Sequence, residues 1–242
     1  MLSKNQIKII TSLSQKKYRK QHQLFIAEGK KVIEELLPNF DLEWLFCVGD
    51  LNFKNVDKNK VYQVTDTEIK KISVLTTATN CLAVFRIPEE RENKELKGLI
   101  VALDDIRDPG NLGTIIRLCD WFGIETLLCS EETVDVYNPK VVQATMGSIS
   151  RVNVVYGNIV EILKTTSLPV FGTFMDGENI YKKELPKEGI IVMGNEANGI
   201  SVEIEKIAKN KISIPRFGKL QATESLNVAT ATAIILSEFR RN

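Results

Sequence analysis

Residues 104–123 read DDIRDPGNLGTIIRLCDWFG, and they decide the fold class. They follow the apolar run Leu99–Leu103 and lead into an amphipathic stretch, an order that predicts a strand, a glycine-containing turn and a helix. A nucleotide-binding unit of an α/β protein begins in this way. The spacing here, however, is Gly110-x-x-Gly113, which matches neither the dinucleotide pattern nor the P-loop pattern. The stretch therefore predicts an α/β unit but favours neither a dinucleotide nor a triphosphate as its ligand.

The second half of the chain continues the same alternation. Apolar runs of strand length recur, and helical patterns lie between several of them. Nearly continuous apolar strands that alternate with helices indicate a parallel sheet covered on both faces. We therefore predict an α/β fold with a C-terminal parallel-sheet domain and a small α/β domain before it. The apolar runs are Leu99–Leu103, Thr126–Cys129, Val152–Val155, Val170–Phe174, Ile190–Met193 and Ile212–Ile214.

The first half shows shorter elements. Ser3 is placed to cap a helix whose apolar side chains recur at helical spacing, and short strands and helices are predicted after it. Residues 88–98, PEERENKELKG, are charged and poor in apolar side chains, so we place a domain boundary there. This divides the chain into a domain of residues 1–95 and a domain of residues 98–242.

Length and composition exclude several classes of protein. The chain has 242 residues, of which 43% are hydrophobic and 26% charged, as is typical of a globular protein with a substantial core. No apolar run is long enough to cross a membrane, and the first residues, MLSKNQIKII, lack the apolar region of a secretory signal. We therefore expect a cytoplasmic protein without a membrane partner.

The cysteines and the histidine argue against a metal centre. The four cysteines show no C-x-x-C spacing and lie in apolar or nearly apolar stretches, so we expect buried, reduced thiols. The single histidine, His22, rules out a two-histidine metal site within one chain. The sequence therefore predicts no metal. The cysteines are Cys47, Cys81, Cys119 and Cys129.

The net charge of +1 hides a basic N-terminal block. Residues 1–31 contain eight Lys or Arg and one acid, Glu28. Such a block can bind the phosphates of a nucleic acid, although a lone run of charges is more often a solvated helix face. The block therefore needs support from elsewhere in the chain. Its candidate RNA-binding residues are Lys16, Lys17, Arg19, Lys20 and Lys30.

Three glycine-containing stretches follow predicted strands. They are the opening stretch, the segment IIVMGNEANGIS at residues 190–201, and the segment ISIPRFGKLQATESLNVATATAIILSEF at residues 212–239. Ligands of open α/β sheets bind at the carboxyl ends of the strands, and glycine lets the backbone approach a ligand closely. The three loops together predict one shared pocket.

These stretches carry short polar motifs. The motifs are Asn111-x-Gly113-x-x-x-Arg117, then Gly194-Asn195-Glu196-x-x-Gly199, then Ile214-Pro215 with Ser225-Leu226-Asn227. In order, spacing and placement after strands they resemble the three motifs of the SpoU (TrmH) family, which are RNA ribose 2'-O-methyltransferases of the SPOUT class. The resemblance covers residues 98–242, and FIAEGKKVIEELL at residues 25–37 resembles the family's substrate-binding domain.

The resemblance implies a cofactor and an assembly. Members of the family bind S-adenosylmethionine in a deep trefoil knot, and they are dimers with the active site at the interface. The small and apolar C-terminal helix, Val228–Leu236, fits an interface helix or an ordinary core helix. Carried over by motif, the cofactor-binding residues are Gly194, Ile214 and Leu226, with Thr173 as a further candidate.

The resemblance also implies catalytic residues. Arg117 matches the family's key residue, and because a guanidinium stays protonated we interpret it as a phosphate clamp that orients the target nucleotide rather than as a base. A structural salt bridge to Glu196 is the alternative for Arg117. Asn111, Glu196, Ser225 and Asn227 would position the ribose or one another. Each also has a structural interpretation, which is helix capping or, for Glu196, a first-turn acid.

One segment departs from the family pattern. Between Gly218 and Ser225 the chain reads KLQATE, which is longer than the usual family loop. The extra residues lie beside the predicted pocket. They either alter cofactor access or target choice, or are a peculiarity of this lineage without a role. Arg216 and Lys219 are candidate RNA contacts there, although for either residue alone a solvated loop charge is the favoured interpretation.

The leading interpretation is an RNA 2'-O-methyltransferase with an N-terminal RNA-binding domain. That domain favours ribosomal RNA over transfer RNA by family analogy. Two other classes remain as alternatives, a non-catalytic RNA-binding protein with the same fold and a nucleotide-dependent oxidoreductase. The intact polar motifs argue against the first, and the glycine spacing argues against the second.

Overall fold

The structure is a computed structural model that describes residues 2–89, 96–218, 220 and 225–241. The chain divides into two compact units. The first unit contains residues 1–93 and 135–150, and the second contains residues 94–134 and 151–242.

Strands and helices alternate along the chain. The strands are β1 (Leu24–Glu28), β2 (Leu42–Cys47), β3 (Val61–Gln63), β4 (Cys81–Arg86), β5 (Leu99–Leu103), β6 (Thr126–Cys129), β7 (Asn153–Tyr156), β8 (Val170–Asn179), β9 (Gly189–Met193) and β10 (Asn210–Ser213). The α-helices are α1 (Lys4–Ser12), α2 (Lys16–His22), α3 (Lys30–Leu36), α4 (Asp66–Ile72), α5 (Pro109–Trp121), α6 (Pro139–Thr145), α7 (Ile159–Thr165), α8 (Val202–Ile207) and α9 (Val228–Phe239).

The first unit is built on a four-stranded sheet in the order β1-β4-β2-β3. Strand β4 pairs antiparallel with β1 and β2, and β2 pairs in parallel with β3. Ser3 begins α1 in a capping box, because its hydroxyl accepts the backbone N–H of Gln6 while the Gln6 side chain accepts the N–H of Ser3. The helix cap predicted from Ser3 is confirmed.

Residues 135–150 extend the first unit. They carry α6, which packs against β1, and the ring of Tyr137 lies 4.8 Å from the ring of Phe25 between centroids. The charged segment 88–98 predicts that these residues belong to the domain of residues 98–242, whereas the structure groups them with the N-terminal residues. The expected boundary lies partly in residues 90–95, outside the described residues.

Arg19 corrects one prediction of the basic block. Its side chain is 2% exposed, so it is not available to RNA. Its Nε and Nη2 donate to Asp135 Oδ2 at 2.9 and 2.5 Å, and its Nη1 donates to the carbonyl oxygens of Leu13 and Ser14. A buried charge needs such partners, and the sequence records charge but not burial. Arg19 therefore ties α1, α2 and residue 135 together.

Replacing Arg19 is expected to destabilise the first unit. We expect Arg19→Met to lower its free energy of unfolding by about 2–4 kcal/mol, because a carboxylate and two carbonyls lose their donors. The exposed neighbour Lys17 is the control, and Lys17→Met is expected to change the stability by less than about 0.5 kcal/mol. The chain has two tryptophans, Trp44 in the first unit and Trp121 in the second. In a Trp121→Phe background, Trp44 fluorescence therefore reports urea unfolding of the first unit alone. Equal urea midpoints for Arg19→Met and Lys17→Met would contradict the structural role of Arg19.

The second unit contains a six-stranded sheet in the order β10-β8-β9-β5-β6-β7. Every pair of neighbours is parallel, so the predicted α/β fold with a parallel sheet is confirmed. The central strands β5 and β9 are buried along their whole length, which explains their continuous apolar sequences. Helices α5 and α9 pack against each other.

The four cysteines are free and buried, as predicted. Burial raises the pKa of the Cys47 thiol to about 11 and that of the Cys81 thiol to about 12, so both are protonated at neutral pH. Within the described residues, no three His, Cys, Asp or Glu side chains form a group able to hold a metal ion. Among the helices in the described part of the chain, none has the length and apolarity needed to cross a bilayer.

Candidate functional site

The predicted pocket residues follow strands that are neighbours in the sheet. The carboxyl ends of β10, β8, β9 and β5 meet along one edge, in that order. Ile214 follows β10, Gly194 follows β9 and Asp104 follows β5, whereas Thr173 lies within β8. The Thr173 hydroxyl donates to the carbonyl oxygen of Val192 at 2.9 Å, which fixes its side chain against β9.

A cleft of about 1300 Å³ opens at this edge. Its lining includes all four residues predicted to bind the cofactor, Thr173, Gly194, Ile214 and Leu226. Among the predicted catalytic residues it includes Glu196 and Ser225. Residues of the second and third motifs thus line one cleft, whereas no residue of the first motif is part of the lining. The sequence predicts a pocket shared by all three loops.

Gly194 allows the loop after β9 to fold tightly back on itself. A Cβ atom at Gly194 would lie 2.3 Å from the carbonyl carbon of Gly199 and 2.4 Å from the backbone nitrogen of Ile200. Asn195 and Gly199 exchange two backbone hydrogen bonds of 2.9 Å, which close the loop. Only glycine fits this close approach of two backbone segments.

Two consecutive acids after β5 hold the same loop. Asp104 Oδ2 accepts the backbone N–H of Ser201 at 2.7 Å, and the carbonyl oxygen of Asp105 accepts from Asn195 Nδ2 at 2.6 Å. The Asp105 carboxylate also accepts two hydrogen bonds from Arg107. No motif in the sequence marks these acids as functional, although two acids directly after a buried strand are a recognisable signal. They fasten the second motif to the first.

Three of the predicted catalytic side chains form one hydrogen-bonded chain. Asn227 Nδ2 donates to Asn111 Oδ1, and Asn111 Nδ2 donates to Glu196 Oε1, each at 2.9 Å. Asn227 Oδ1 accepts the backbone N–H groups of Ala229 and Thr230. Because a carbonyl oxygen must face those N–H groups, the amide of Asn227 can have only one orientation, and the orientation of Asn111 follows from it. The start of α9 therefore sets the donor-to-acceptor direction of both hydrogen bonds, from Asn227 through Asn111 to Glu196.

The helix starts refine the structural interpretations of these residues. Asp108 caps α5 by accepting the N–H of Asn111, so Asn111 lies inside the helix and is not its cap. Asn227 does cap α9. Glu196 lies in the turn after β9 and not in the first turn of a helix. The side chains of Asn111 and Glu196 are thus used in the hydrogen-bonded chain rather than in capping.

Arg117 lies apart from this chain. It is exposed on α5, and within the described residues it forms neither a hydrogen bond nor an ion pair. The alternative salt bridge to Glu196 is absent from the described part of the chain, where Glu196 binds Asn111 instead. Arg117 shares its face of α5 with Trp121, one turn further on, whose side chain is 84% exposed.

The basic residues of the first unit divide into two groups. Arg19 is buried, as described above, whereas Lys16, Lys17, Lys20 and Lys30 are exposed. Lys30 lies 3.7 Å from Glu34, a weak surface pair that leaves its charge accessible to solvent. Around the loop after Pro215, Arg216 is exposed, while Lys219 and residues 221–224 of the longer segment lie outside the described residues.

Comparisons with known proteins agree with this geometry. The chain is 29% identical to the 23S rRNA (guanosine(2553)-2'-O)-methyltransferase RlmP of Bacillus subtilis, over 98% of this chain and 97% of that protein. A TrmH-family protein from Porphyromonas gingivalis superposes with a TM-score of 0.91 at 39% identity, covering 100% of this chain and 99% of that chain. An rRNA methyltransferase from Sinorhizobium meliloti, with S-adenosylmethionine bound, gives a TM-score of 0.83 at 29% identity, covering 100% and 96%.

Family models match both parts of the chain. The model of the MRM3-like substrate binding domain matches residues 4–83, and that of the SpoU rRNA Methylase family matches residues 98–237. The second match spans more than half of the chain and includes all three motifs. The chain belongs to the SpoU rRNA methylase family.

Proposed function

We propose that this protein transfers a methyl group from S-adenosylmethionine to a ribose 2'-hydroxyl of ribosomal RNA. The observation that carries the proposal is the hydrogen-bonded chain Asn227–Asn111–Glu196, which joins all three motifs and ends at a residue lining the cleft. The similarity to RlmP over nearly the whole chain supports ribosomal RNA as the substrate class.

The residues of the cleft fit S-adenosylmethionine. Close backbone packing at Gly194 forms one wall, and the apolar side chains of Ile214 and Leu226 suit a purine ring. The carboxylate of Glu196 suits a ligand that carries positive charge. When bound, the cofactor supplies a methyl group already activated by its sulfonium.

The side chains of the protein would then align the acceptor. A ribose hydroxyl becomes a good nucleophile only as its proton is removed, and its oxygen must lie in line with the methyl group. Asn111, held by Asn227 and Glu196, has a fixed orientation from which to position the ribose. Ser225 lines the cleft and would orient the hydroxyl. Arg117 would clamp a phosphate of the target nucleotide, with the proton passing to a neighbouring phosphate or water.

Asn227 allows the orienting role to be separated from helix capping. Asn227→Asp keeps the oxygen that accepts from Ala229 and Thr230 but loses the donor to Asn111, so we expect kcat to fall about 5- to 100-fold with α9 intact. Asn227→Ala is expected to lose, in addition, about 1 kcal/mol of stability. Methylation kinetics and urea unfolding measure the two effects. Wild-type kcat in Asn227→Asp would contradict the orienting role.

We also infer that the first unit binds the RNA substrate. Lys16, Lys17, Lys20 and Lys30 offer exposed positive charge on the unit that matches a substrate-binding domain model. Arg19 is excluded from this set because it is buried. The protein would act in the cytoplasm, where its proposed substrate is found.

A homodimer would complete the site. Arg117 does not line the cleft of its own chain, yet it shares an exposed helix face with Trp121. A second copy docked on this face would cover the exposed ring of Trp121, and in such a dimer Arg117 would act at the partner's cleft. Sedimentation velocity measures the assembly. If Arg117 acts across the interface, mixing two impaired variants, one at Arg117 and one at Gly194, restores part of the lost activity.

The knot belongs to the same proposal. Strand β8 lies between β9 and β10, so the chain after β9 must cross it. A Cβ atom at Gly177 would lie 2.5 Å from the carbonyl carbon of Ile212, so the two backbones are in direct contact. These features support a trefoil knot in the C-terminal part of the chain.

The deciding experiment compares RNA from cells with and without the gene. Mass-spectrometric mapping of 2'-O-methyl nucleotides is expected to show one ribosomal site lost on deletion, and the purified protein with S-adenosylmethionine is expected to restore it. A lost site in transfer RNA would favour the transfer RNA enzyme instead. No lost site, together with no methyl transfer to unmodified RNA in vitro, would overturn the proposal.

A further inference from the structure

Two exposed aromatic side chains meet at the rim of the cleft. Phe217 lines the cleft and is 81% exposed, and Tyr181 is 39% exposed. Their rings are stacked, with centroids 6.5 Å apart and planes at 27°. Large apolar rings in water are unfavourable unless a ligand covers them, so this pair is a candidate contact surface.

The backbone that carries Tyr181 is held in place. Tyr181 lies in the short 3-10 helix Ile180–Lys182, whose first residue is fully buried. Asn179 caps that helix by accepting the backbone N–H of Tyr181 at 3.0 Å. Because the backbone under Tyr181 is held in place, the ring loses little freedom when a ligand stacks on it.

A basic residue is adjacent in sequence to each of the two aromatic residues. Lys182 follows Tyr181, is exposed, and has no hydrogen-bond or ion-pair partner among the residues that the structure describes. Arg216 precedes Phe217 and is also exposed. Stacking rings beside cations are the combination that binds single-stranded nucleic acids, in which the rings contact bases and the cations contact phosphates.

We propose that Phe217 and Tyr181 form an aromatic platform on which an unpaired base of the RNA substrate stacks, at or next to the ribose that is methylated. The inference rests on the proposed function and adds a contact that none of the three motifs supplies. An RNA base fits this position because Phe217 lines the cleft and both rings are exposed, so a substrate that approaches the cleft can reach them. We assign the platform to RNA binding, and because Phe217 lines the cleft, the Kd for S-adenosylmethionine tests this assignment.

The test uses the full chain, S-adenosylmethionine and ribosomal RNA from cells that lack the gene. We expect Phe217→Leu and Tyr181→Leu each to raise the KM for RNA about 5- to 100-fold. The Kd for S-adenosylmethionine, measured by calorimetry, is expected to stay within about twofold, since a lost stacking contact acts only on RNA binding. Phe217→Trp retains a ring and is expected to regain most of the lost affinity.

A second substrate sharpens the test. It is an RNA oligonucleotide of the mapped site that keeps its sugar-phosphate backbone but lacks the base at the target nucleotide or at a neighbouring one. The difference between wild type and Phe217→Leu is expected to vanish on the RNA that lacks the stacked base. An unchanged KM in Phe217→Leu, with wild-type activity present, would overturn the platform alone. Weaker cofactor binding in Phe217→Leu would assign the ring to the cofactor site. Loss of the dimer in this variant would assign the ring to the dimer interface. Either result overturns the platform. Failure of the wild type itself to methylate RNA would instead refute the proposed function.

Discussion

Replacing Arg117 by alanine is expected to lower kcat by about 10²- to 10³-fold, while the fold and the affinity for S-adenosylmethionine stay unchanged. Arg117 is exposed and does not line the cleft, so its loss leaves the core and the cofactor-binding residues untouched. A cation that holds a phosphate of the target nucleotide acts through alignment, and misalignment is costly in methyl transfer. Methylation kinetics, circular dichroism and calorimetry measure the three quantities.

Two further variants identify the role of Arg117. Arg117→Lys keeps the charge but loses the planar fork that binds phosphate through two hydrogen bonds, so we expect partial activity. Thr114→Ala changes an exposed neighbour on the same face of α5 and is expected to retain full activity. Retained activity in Arg117→Ala would remove the residue from the mechanism.

Gly194→Ala is expected to weaken S-adenosylmethionine binding about 5- to 100-fold, because the new Cβ atom cannot fit where it must go. It would lie 2.3 Å from the Gly199 carbonyl carbon, so the loop of the second motif must move and carry Glu196 with it. Calorimetric titration measures the Kd, and thermal unfolding shows how much of the effect is lost stability.

The matched control is another glycine of the same unit. A Cβ atom at Gly157 meets no atom within 4 Å, so Gly157→Ala is expected to bind the cofactor like the wild type. If Gly194→Ala binds equally well, the close approach of the two backbones has no part in shaping the cleft. If both variants bind weakly, the effect is general to this unit and not specific to the loop.

Particular elements show what the sequence can predict. Strands β5 and β9 were predictable because a strand buried on both faces must be apolar throughout. The convergence of the three loops followed from the parallel arrangement, since all carboxyl ends lie on one edge. The cofactor and the catalytic roles came from resemblance to a family and not from periodicity.

Other features depend on contacts between distant residues. The sequence of the basic block does not indicate that Arg19 is buried while Lys17 is exposed, because the carboxylate that pairs with Arg19 is at position 135. The order Asn227–Asn111–Glu196 depends on backbone N–H groups at the start of α9. Likewise, the stacking of Tyr181 on Phe217 joins residues that no motif connects. Side-chain burial and hydrogen-bond direction are properties of the folded chain.

The discontinuous first unit has a consequence for protein synthesis. Ribosomes add about 5–20 residues per second, and domains generally fold as units while the chain emerges. This unit cannot be completed when residue 93 leaves the ribosome, because residues 135–150 belong to it. Until Asp135 has been synthesised, Arg19 lacks its carboxylate partner. Two of the six strands in the second unit's parallel sheet, β5 and β6, must therefore be translated before the N-terminal unit can close. A fragment that ends at residue 95 would remain permanently at that unfinished stage.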